Sequence, residues 1–318
     1  MNAQRLGLTF PLLPLDVRES CQQARRAEDL GYTDAWTAEV SGPDALAVAT
    51  ALGTSTETLR IGSAIVPAYT RPPALIAMGA LAAHQASAGR FILGIGASSP
   101  VIVESWMGIP FDRPYTKVKE TLGAVRAALA GEKVRVQGTT LKVDGFKLDS
   151  PAPEVPIYLA ALGPRMTQLA AKEADGIALY LASEVGVRIA REVVGKKEIV
   201  ERIVCCPDVP KEDVRGMLKY QMTPYAVVPA YNAYLCAQGF EAEAQAAAKL
   251  WKSGDRGAAV EAISDEMVDA LNLLGTAEEC KERLESFREA GLDTPILMLL
   301  SPSGPEGAVR AMQRMAPT

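Results

Sequence analysis

An acidic residue early in the chain has the position that general acid catalysis or cofactor binding requires. Residues 35–38 are mainly apolar, have the composition of a buried strand, and end at Glu39. A carboxyl group there is partly withdrawn from water, which suits a general acid or a hydrogen-bond partner of a cofactor. Glu39 is therefore the candidate catalytic residue. Two alternatives stay open, because Glu39 could cap the next helix or pair with Arg71. Asp44, just beyond it, could equally complement a helix dipole.

A second segment predicts an anion site. Gly163 and Pro164 stand before a predicted helix, and proline is favoured in a first helical turn. Backbone N–H groups at such a start can hold phosphate, with charge added by Arg165. The alternative is a plain helix start without a ligand. The candidate residues are Ala161, Leu162, Gly163, Pro164, Arg165 and Met166.

Small residues follow a third apolar segment, at 91–95. The pair Gly94 and Gly96 lacks the last glycine of a dinucleotide fingerprint, because Ser99 occupies that position. We expect Gly96, Ala97 and Ser98 to let a flat ring or its side chain lie close to the backbone. The chain has one histidine, His84, in a predicted helix, so a zinc or non-haem iron site is not expected.

The elements that must position these residues alternate along the chain. Residues 59–98 read as strand, helix and strand, with small and polar residues after each strand. Apolar runs without alternation suit strands that are buried on both faces. Eight strands, each followed by a helix, predict an α/β fold of the (β/α)8 TIM-barrel type, with ligands at its C-terminal mouth. The strands are predicted at 5–10, 34–38, 60–66, 91–95, 156–160, 176–181, 200–206 and 295–300, and the helices at 17–30, 43–56, 72–88, 116–130, 164–174, 185–194, 210–222 and 305–315.

Two excursions interrupt this alternation within what we expect to be one domain, 1–318. Residues 133–149 alternate apolar and polar side chains around turn residues, which predicts a β-hairpin. Residues 223–290 predict a helical insertion between strands seven and eight. Long insertions in barrels often cover the active site.

Composition narrows the class of partner. The net charge of −5 and the absence of basic runs argue against nucleic acid or an anionic membrane as a partner. No apolar run reaches the length of a membrane span, and the N-terminus lacks the basic leader of a signal peptide. Five scattered cysteines without a disulfide framework predict a cytoplasmic protein.

Several motifs, in order and spacing, resemble the luciferase-like monooxygenase superfamily, and within it the branch that uses the deazaflavin coenzyme F420. Residues 66–98 are similar to that branch's pattern N/A-x-Y-T-R-x-P-A followed by S-x-G-R-F-x-L-G-x-G. Further matches lie at 36–44, 157–164, 174–176 and 274–276, so the resemblance covers nearly the whole chain. Methylene-tetrahydromethanopterin reductases and their bacterial relatives are the nearest subgroup. Val40 stands where sugar-phosphate dehydrogenases carry a catalytic histidine.

The resemblance implies a bacterial luciferase-like barrel with the coenzyme at the mouth. A strand-three bulge with a non-prolyl cis peptide, at Ser63, Ala64 and Ile65, is then expected against the middle ring. Glu39 falls where relatives hold an acid near the ring. Ala97, Ser98 and residues 161–166 fall where they hold the coenzyme's side chain and phosphate.

The predicted function is an F420-dependent oxidoreductase that transfers a hydride between the deazaflavin and a small organic substrate. The alternatives are an FMNH2-dependent monooxygenase with FMN as cofactor and, third, a non-catalytic flavin-binding protein. Trp106, Tyr180 and Tyr225 are candidate walls of the substrate site. The resemblance also implies a homodimer, with helices 43–56 and 72–88 as the expected interface.

Overall fold

Eight parallel strands close into a barrel in the computed structural model, which describes residues 4–12 and 16–317. Residues 1–3, part of the segment expected to lack a leader, lie outside these ranges. Each strand pairs with the next in chain order, β6 pairs with β7, and β8 pairs with β1, which closes the ring. The predicted (β/α)8 fold is confirmed. The barrel strands are β1 Gly7–Thr9, β2 Asp34–Thr37, β3 Arg60–Ser63, β4 Phe91–Gly96, β5 Ile157–Ala160, β6 Gly176–Tyr180, β7 Glu198–Pro207 and β8 Thr294–Leu299.

Helices follow the strands and begin at recognisable signals. Asp16 with Glu19, and Thr276 with Glu279, form reciprocal capping boxes at two helix starts. Prolines occupy the first turns of the helices after β3 and β5. The helices are α1 Val17–Asp29, α2 Ala45–Ser55, α3 Pro73–Ala86, α4 Pro114–Leu129, α5 Pro164–Glu173, α6 Glu184–Val194, α7 Lys211–Ala226, α8 Pro229–Ala237, α9 Glu241–Lys252, α10 Arg256–Glu261, α11 Asp265–Leu271, α12 Ala277–Glu289 and α13 Gly304–Arg314.

Additional elements lie outside this repeat. Val134–Gln137 and Lys142–Phe146 form an antiparallel hairpin between α4 and β5. Helices α7 to α12 lie between β7 and β8, and a short strand between α11 and α12, Leu273–Gly275, pairs with the end of β7. A π-helical turn, Val101–Trp106, follows β4 and was not predicted from the sequence. Among the described residues, none of the helices has the length and apolarity needed to cross a membrane.

A network of charged and hydroxyl groups fills the N-terminal end of the barrel. The Arg60 guanidinium donates to Asp34 at 2.5 Å and to both Glu198 oxygens at 2.8 and 2.5 Å. The Tyr158 hydroxyl and the Thr294 hydroxyl also donate to Glu198, at 2.5 and 2.6 Å. These five residues come from β2, β3, β5, β7 and β8. Because every charge has a partner, the network can lie inside the barrel without an isolated ion.

An apolar layer lies directly above this network. Its buried members are Trp36, Ile92, Tyr158, Ala178, Val200 and Ile296. Glycines make room for the two large rings: a Cβ at Gly176 would lie 2.6 Å from the Tyr158 ring, and one at Gly62 would overlap the Trp36 ring. The lower half of the barrel is therefore packed, and only the C-terminal half remains for a ligand.

The third strand, predicted at 60–66, is interrupted where the family resemblance implied a bulge, at Ser63, Ala64 and Ile65. Gly62 pairs with Ile92 and Val66 pairs with Ile95, so β3 carries one residue more than β4 between these pairs. This is a β-bulge, and the Ala64–Ile65 peptide bond within it is cis. The Ser63 hydroxyl replaces the missing ladder bond, because it accepts from the Gly94 N–H at 2.9 Å. A side chain at Gly94 would overlap the Ser63 carbonyl, so a residue with a side chain cannot stand opposite the bulge without a shift.

The charge network at the closed end makes stability depend on pH. Burial alone would raise the pKa of Glu198, but the hydrogen bond and charge of Arg60 lower it to about 2. A carboxyl group with a lowered pKa in the folded state stabilises the fold above its unfolded pKa, and that contribution is lost as the pH falls toward 2. We expect Glu198→Gln to lower the free energy of unfolding by about 3 kcal/mol near pH 7. The deficit should shrink as the pH falls from about 4.5 to about 2, in denaturant titrations.

Glu306→Gln is the matched control, because Glu306 belongs to an exposed helix pair with Arg310 on α13. Its effect should stay below about 0.5 kcal/mol at every pH. A deficit for Glu198→Gln that does not change between these pH values would contradict the account of the network.

Candidate functional site at the C-terminal mouth of the barrel

The end of β2 and the β3 bulge lie side by side at the mouth. The Ala64 N–H donates to the Thr37 carbonyl at 2.7 Å, and the Glu39 N–H donates to the Ile65 carbonyl at 3.2 Å. Pairing between these two chain segments therefore continues through the bulge. Glu39 and the segment Ser63, Ala64 and Ile65 are direct neighbours, as the sequence interpretation requires.

Glu39 is part of an ion pair and is not an isolated carboxyl group. The Arg71 Nε donates to both Glu39 oxygens at 2.9 Å, and Nη2 donates to Oε2 at 2.6 Å. Both side chains are 18% exposed. Glu39 is thus partly withdrawn from water, as expected, and the alternative of a pair with Arg71 holds as well. The hydrogen bonds that Arg71 donates to Glu39 fix the orientation of the carboxylate and raise the pKa of Arg71.

Asp44 joins the same cluster and also caps α2. Its carboxylate accepts from the backbone N–H groups of Leu46 and Ala47 at 3.0 and 2.9 Å, and it contacts Arg71. Burial alone would raise the pKa of Asp44, but these hydrogen bonds lower it. The helix-capping interpretation of Asp44 is therefore correct, and its contact with Arg71 links α2 to the loop after β3.

The loop after β3 is fixed on both sides of Thr70. On one side, the Tyr69 ring stacks on Phe111 with centroids 4.9 Å apart, and its hydroxyl donates to the Asp112 carbonyl. Burial raises the pKa of Tyr69 to about 12, so its hydroxyl stays protonated. On the other side, Arg71 is held by Glu39. The hydroxyl oxygen of Thr70 between them is buried and has no hydrogen-bond partner in the described structure.

The residues at the end of β4 are small for two different reasons. A Cβ at Gly96 would lie 2.9 Å from both Ala160 and Ile65, so its size is required by packing inside the protein. From the sequence, we expected a ligand to require a small residue here. For Gly96, packing inside the protein is a sufficient cause. Ala97 and Ser98 are partly exposed at the rim, and Ser98 has a φ of +67°. Non-glycine residues in this region carry strain and are concentrated at functional sites.

The start of α5 is open to solvent on the same rim. A Cβ at Gly163 would meet nothing within 4 Å, and no side chain caps the helix. Arg165 is exposed, and its guanidinium carbon lies 4.6 Å from the Tyr115 ring centroid. Of the other predicted residues here, Ala161 is buried, Leu162 and Met166 are half-buried, and Pro164 is exposed. Free N–H groups and a nearby cation can therefore face an anion.

The predicted wall residues separate into two places. Tyr180 at the end of β6 meets Tyr225 of α7 edge to face at 5.3 Å, and Tyr225 meets Tyr231 of α8 at 5.2 Å. Trp106 is 52% exposed at the end of the π-helical turn, and none of the ring contacts found among the described residues joins it to these tyrosines. Tyr180 and Tyr225 thus lie together with Tyr231, which was not among the predicted wall residues, and Trp106 stays a separate candidate.

Sequence reasoning also missed Arg202, which faces into the barrel from β7. It pairs with Tyr180 of β6 in the strand register, and its guanidinium carbon lies 5.4 Å from that ring's centroid. A signal was present, because Glu201 and Arg202 are two adjacent charges in an otherwise apolar strand. With one side chain on each face of the strand, one of them must point into the barrel.

The mouth leaves several polar groups available to a ligand. Three buried polar atoms around the inner rim have no partner in the described structure: the hydroxyl oxygens of Thr9 and Thr70, and Nε of Arg202. Nine further buried side-chain atoms without partners lie elsewhere in the described structure, so these three are informative through their common place at the mouth, where a polar ligand would satisfy them. The open start of α5 can accept a phosphate on the same rim.

A sequence model of the luciferase-like monooxygenase family matches residues 6–294. The chain belongs to this family. It is 28% identical over 313 residues to a 5,10-methylenetetrahydromethanopterin reductase of Methanolobus tindarius, which covers 94% of each chain.

Solved structures of similar barrels include one enzyme described as coenzyme F420-dependent and one in complex with FMN. The coenzyme F420-dependent tetrahydromethanopterin reductase of Methanopyrus kandleri superposes with a TM-score of 0.79, at 20% identity over 98% of this chain and 97% of that one. A type II Baeyer–Villiger monooxygenase from Pseudomonas putida in complex with FMN gives 0.68, at 17% identity over 99% and 97%. These likenesses confirm the fold of the luciferase-like chain.

The ion pair at the mouth leads to a measurable coupling. Glu39 and Arg71 are both 18% exposed and share three hydrogen bonds, so a double-mutant cycle of Glu39→Gln and Arg71→Met should give about 1–3 kcal/mol in unfolding experiments. The exposed pair Arg135 and Asp144 in the hairpin is the control, with an expected coupling under about 0.5 kcal/mol. Equal couplings for the two pairs would show that Arg71 does not hold Glu39.

Proposed function

We propose that this protein is a coenzyme F420-dependent oxidoreductase that moves a hydride between the deazaflavin and a small organic substrate. The observation that carries the proposal is the 28% identity, across 94% of both chains, to a methylenetetrahydromethanopterin reductase. The likeness of the barrel to a solved F420-dependent reductase of the same kind supports it. The arrangement of the mouth agrees, because the bulge at Ser63, Ala64 and Ile65 and the open start of α5 lie at the same end of the barrel.

Each part of the mouth has a role in this proposal. Gly163, Arg165 and the free N–H groups at the start of α5 would hold the phosphate. Ala97 and Ser98 would lie along the side chain, and the bulge at Ser63, Ala64 and Ile65 would support the ring from below. When bound, the coenzyme supplies a two-electron hydride donor or acceptor. Glu39, fixed by Arg71, would accept a hydrogen bond from the coenzyme or the substrate beside the bulge.

The helices between β7 and β8 would cover the substrate side. Residues of β6 and β7 pack in one apolar cluster with residues of α7, α8, α9 and α11, so these helices stand over one side of the mouth. Covering the mouth excludes water from a transferred hydride. The only histidine, His84, lies in the last turn of α3, so the chemistry proceeds without a histidine base at the mouth. Hydride transfer to an electrophilic carbon needs little acid–base assistance.

A second candidate is an FMN-dependent monooxygenase. It is favoured by the likeness of the fold to a Baeyer–Villiger monooxygenase in complex with FMN. Both cofactors are flat, phosphate-bearing rings, so the rim would accept the same parts of either. They differ in the chemistry that follows, because the monooxygenase consumes oxygen and the deazaflavin enzyme does not.

The cofactor is tested by titrating purified apoprotein with oxidised deazaflavin and with FMN, followed by fluorescence. We expect the Kd for the deazaflavin to be at least about tenfold lower than that for FMN. Tighter binding of FMN would contradict the proposal and favour the monooxygenase. Binding of neither would contradict a flavin-type cofactor altogether.

The phosphate seat is tested by Arg165→Glu, which places a carboxylate where the phosphate is expected. The Kd of the coenzyme should rise about 10- to 100-fold in the same titration, because a charge-assisted contact becomes a repulsion. Arg310→Glu, an equal charge change on exposed α13, should leave the Kd within about twofold. Equal effects of the two variants would refute a phosphate at the start of α5.

The role of Glu39 is tested by Glu39→Gln, assayed as loss or gain of the coenzyme's visible absorbance with substrate. We expect kcat to fall at least about tenfold, because a neutral amide oxygen is a weaker hydrogen-bond acceptor than the carboxylate that would hold the coenzyme or the substrate beside the bulge. Asp44→Asn is the matched control: it removes the other carboxylate from Arg71, and asparagine remains a good helix cap. If both variants lower kcat equally, Glu39 acts only through Arg71 and is not catalytic.

A further inference from the structure

Arg202 occupies a position where a ligand must complete its surroundings. It lies on β7 one inward-facing position above Val200, which belongs to the apolar layer inside the barrel. Its neighbours across the strands are Tyr180 of β6 and Ile296 of β8. Arg202 is half-buried, so the mouth is its route to solvent. It is therefore the inward-facing cation immediately below the space that a substrate would fill.

The guanidinium of Arg202 has few partners. Nη2 lies 2.9 Å from the thioether sulfur of Met298, a weak acceptor, and the guanidinium carbon lies 5.4 Å from the Tyr180 ring centroid. Nε is buried and has no hydrogen-bond partner, and no carboxylate of the described residues forms a salt bridge with Arg202. An arginine side chain carries five N–H donors, and most of these are left for a ligand.

Arg60, at the other end of the same barrel, shows what a satisfied inward-facing arginine looks like. It pairs with Asp34 and with both oxygens of Glu198. Glu201, the carboxylate next to Arg202 in the chain, projects to the opposite face of β7 and accepts from the Ala182 N–H at 2.8 Å. The counter-ion of Arg202 is therefore not supplied by its neighbour on the strand.

Aromatic rings form the wall beside this cation. Tyr180, Tyr225 and Tyr231 make a continuous edge-to-face row from β6 to α7 and α8. All three are half-buried and thus retain some exposed surface. Burial raises the pKa of Tyr180 and of Tyr231, so both hydroxyls stay neutral and give Arg202 no counter-charge. The apolar or aromatic part of a ligand packs well on such a row of rings. A charged group on the same ligand must then lie toward Arg202.

We propose that Arg202 binds the acidic group of the substrate, and that the substrate is an organic carboxylate with an apolar or aromatic body that packs on Tyr180, Tyr225 and Tyr231. Two parallel N–H···O bonds from the guanidinium to a carboxylate would satisfy the buried Nε and replace the thioether contact. This inference rests on the proposed function for the reaction that the substrate undergoes. The recognition of the acid by the chain itself does not require the coenzyme.

The first experiment measures binding to the apoprotein by calorimetry, with benzoate and hexanoate and with their uncharged amides as probes. Wild-type protein should bind the acids with a Kd of about 1 mM or lower and the amides at least about tenfold more weakly. Arg202→Met should weaken the acids at least about tenfold and leave the amides unchanged, while Arg202→Lys should retain part of the affinity. Arg135→Met, an exposed arginine in the hairpin, should match wild type.

Two results would overturn the proposal. One is equal affinity for acids and amides, or no saturable binding of either acid, in wild-type protein. The other is unchanged acid affinity in Arg202→Met. If Arg202→Met does not fold, as judged by circular dichroism, Arg202→Lys is used instead. This variant keeps the positive charge and loses the paired hydrogen bonds. Unchanged acid affinity in Arg202→Lys would then overturn the proposal.

The second experiment separates this inference from the proposed function. The deazaflavin titration is repeated with Arg202→Met, whose Kd for the coenzyme should stay within about twofold of wild type. Loss of coenzyme affinity without loss of acid binding would assign Arg202 to the coenzyme and overturn the inference. Arg202-dependent acid binding by a protein that does not bind deazaflavin would support it and reject the proposed function. Deazaflavin binding without Arg202-dependent acid binding would support the proposed function and reject this inference.

Discussion

The Arg60 guanidinium, held between Asp34 and Glu198 inside the barrel, is the interaction on which the rest of this structure depends. With Tyr158 and Thr294 it joins five of the eight strands at their N-terminal ends and fills the space that they enclose. A buried arginine is tolerated only where its donors are satisfied, and two carboxylates satisfy this one. The apolar layer of Trp36 and Tyr158 lies directly above it, so the lower half of the barrel has no room for a ligand. All recognition must therefore take place at the opposite end.

The mouth of the barrel differs from the N-terminal end in that its polar groups are not all satisfied by one another. There the polar groups are held in place by the fold, and several of them are left without partners. The pair of Glu39 and Arg71 fixes the loop after β3 against the bulge, and Tyr69 fixes the same loop from the other side. Thr9, Thr70 and Arg202 then present unsatisfied buried atoms toward the space between them. Preorganised groups of this kind bind a ligand without the cost of ordering them at the moment of binding. Arg60, which is paired with two carboxylates, lies at the end of the barrel that stabilises the fold. Arg202, which has no carboxylate partner among the described residues, lies toward the end where we propose that ligands bind.

Local sequence predicts the parts of this structure that depend on local patterns. Strands buried on both faces leave apolar runs, and the eight strands were found at their observed places, although Gly94 and the bulge opposite it interrupt the third. Features that depend on residues far apart in the sequence could not be predicted from local patterns. Glu39 pairs with a guanidinium 32 positions away, so spacing alone could not decide between a free and a paired carboxylate. Gly96 is small because Ile65 and Ala160 approach it, and the π-helical turn that carries Trp106 was not predicted from local patterns. Arg202 was missed inside a strand that had been predicted correctly.

The most direct test of this account is a crystal structure of the protein with bound deazaflavin. The account predicts the phosphate at the start of α5, within hydrogen-bond distance of the backbone N–H groups near Gly163 and of Arg165. It places the ring against Ala64 and Ile65, with Glu39 at the ring's edge and Arg202 left free on the substrate side. A ring bound away from the bulge, or a phosphate bound away from α5, would contradict it. Arg202 in contact with the coenzyme would leave the site in place and remove the proposed substrate class.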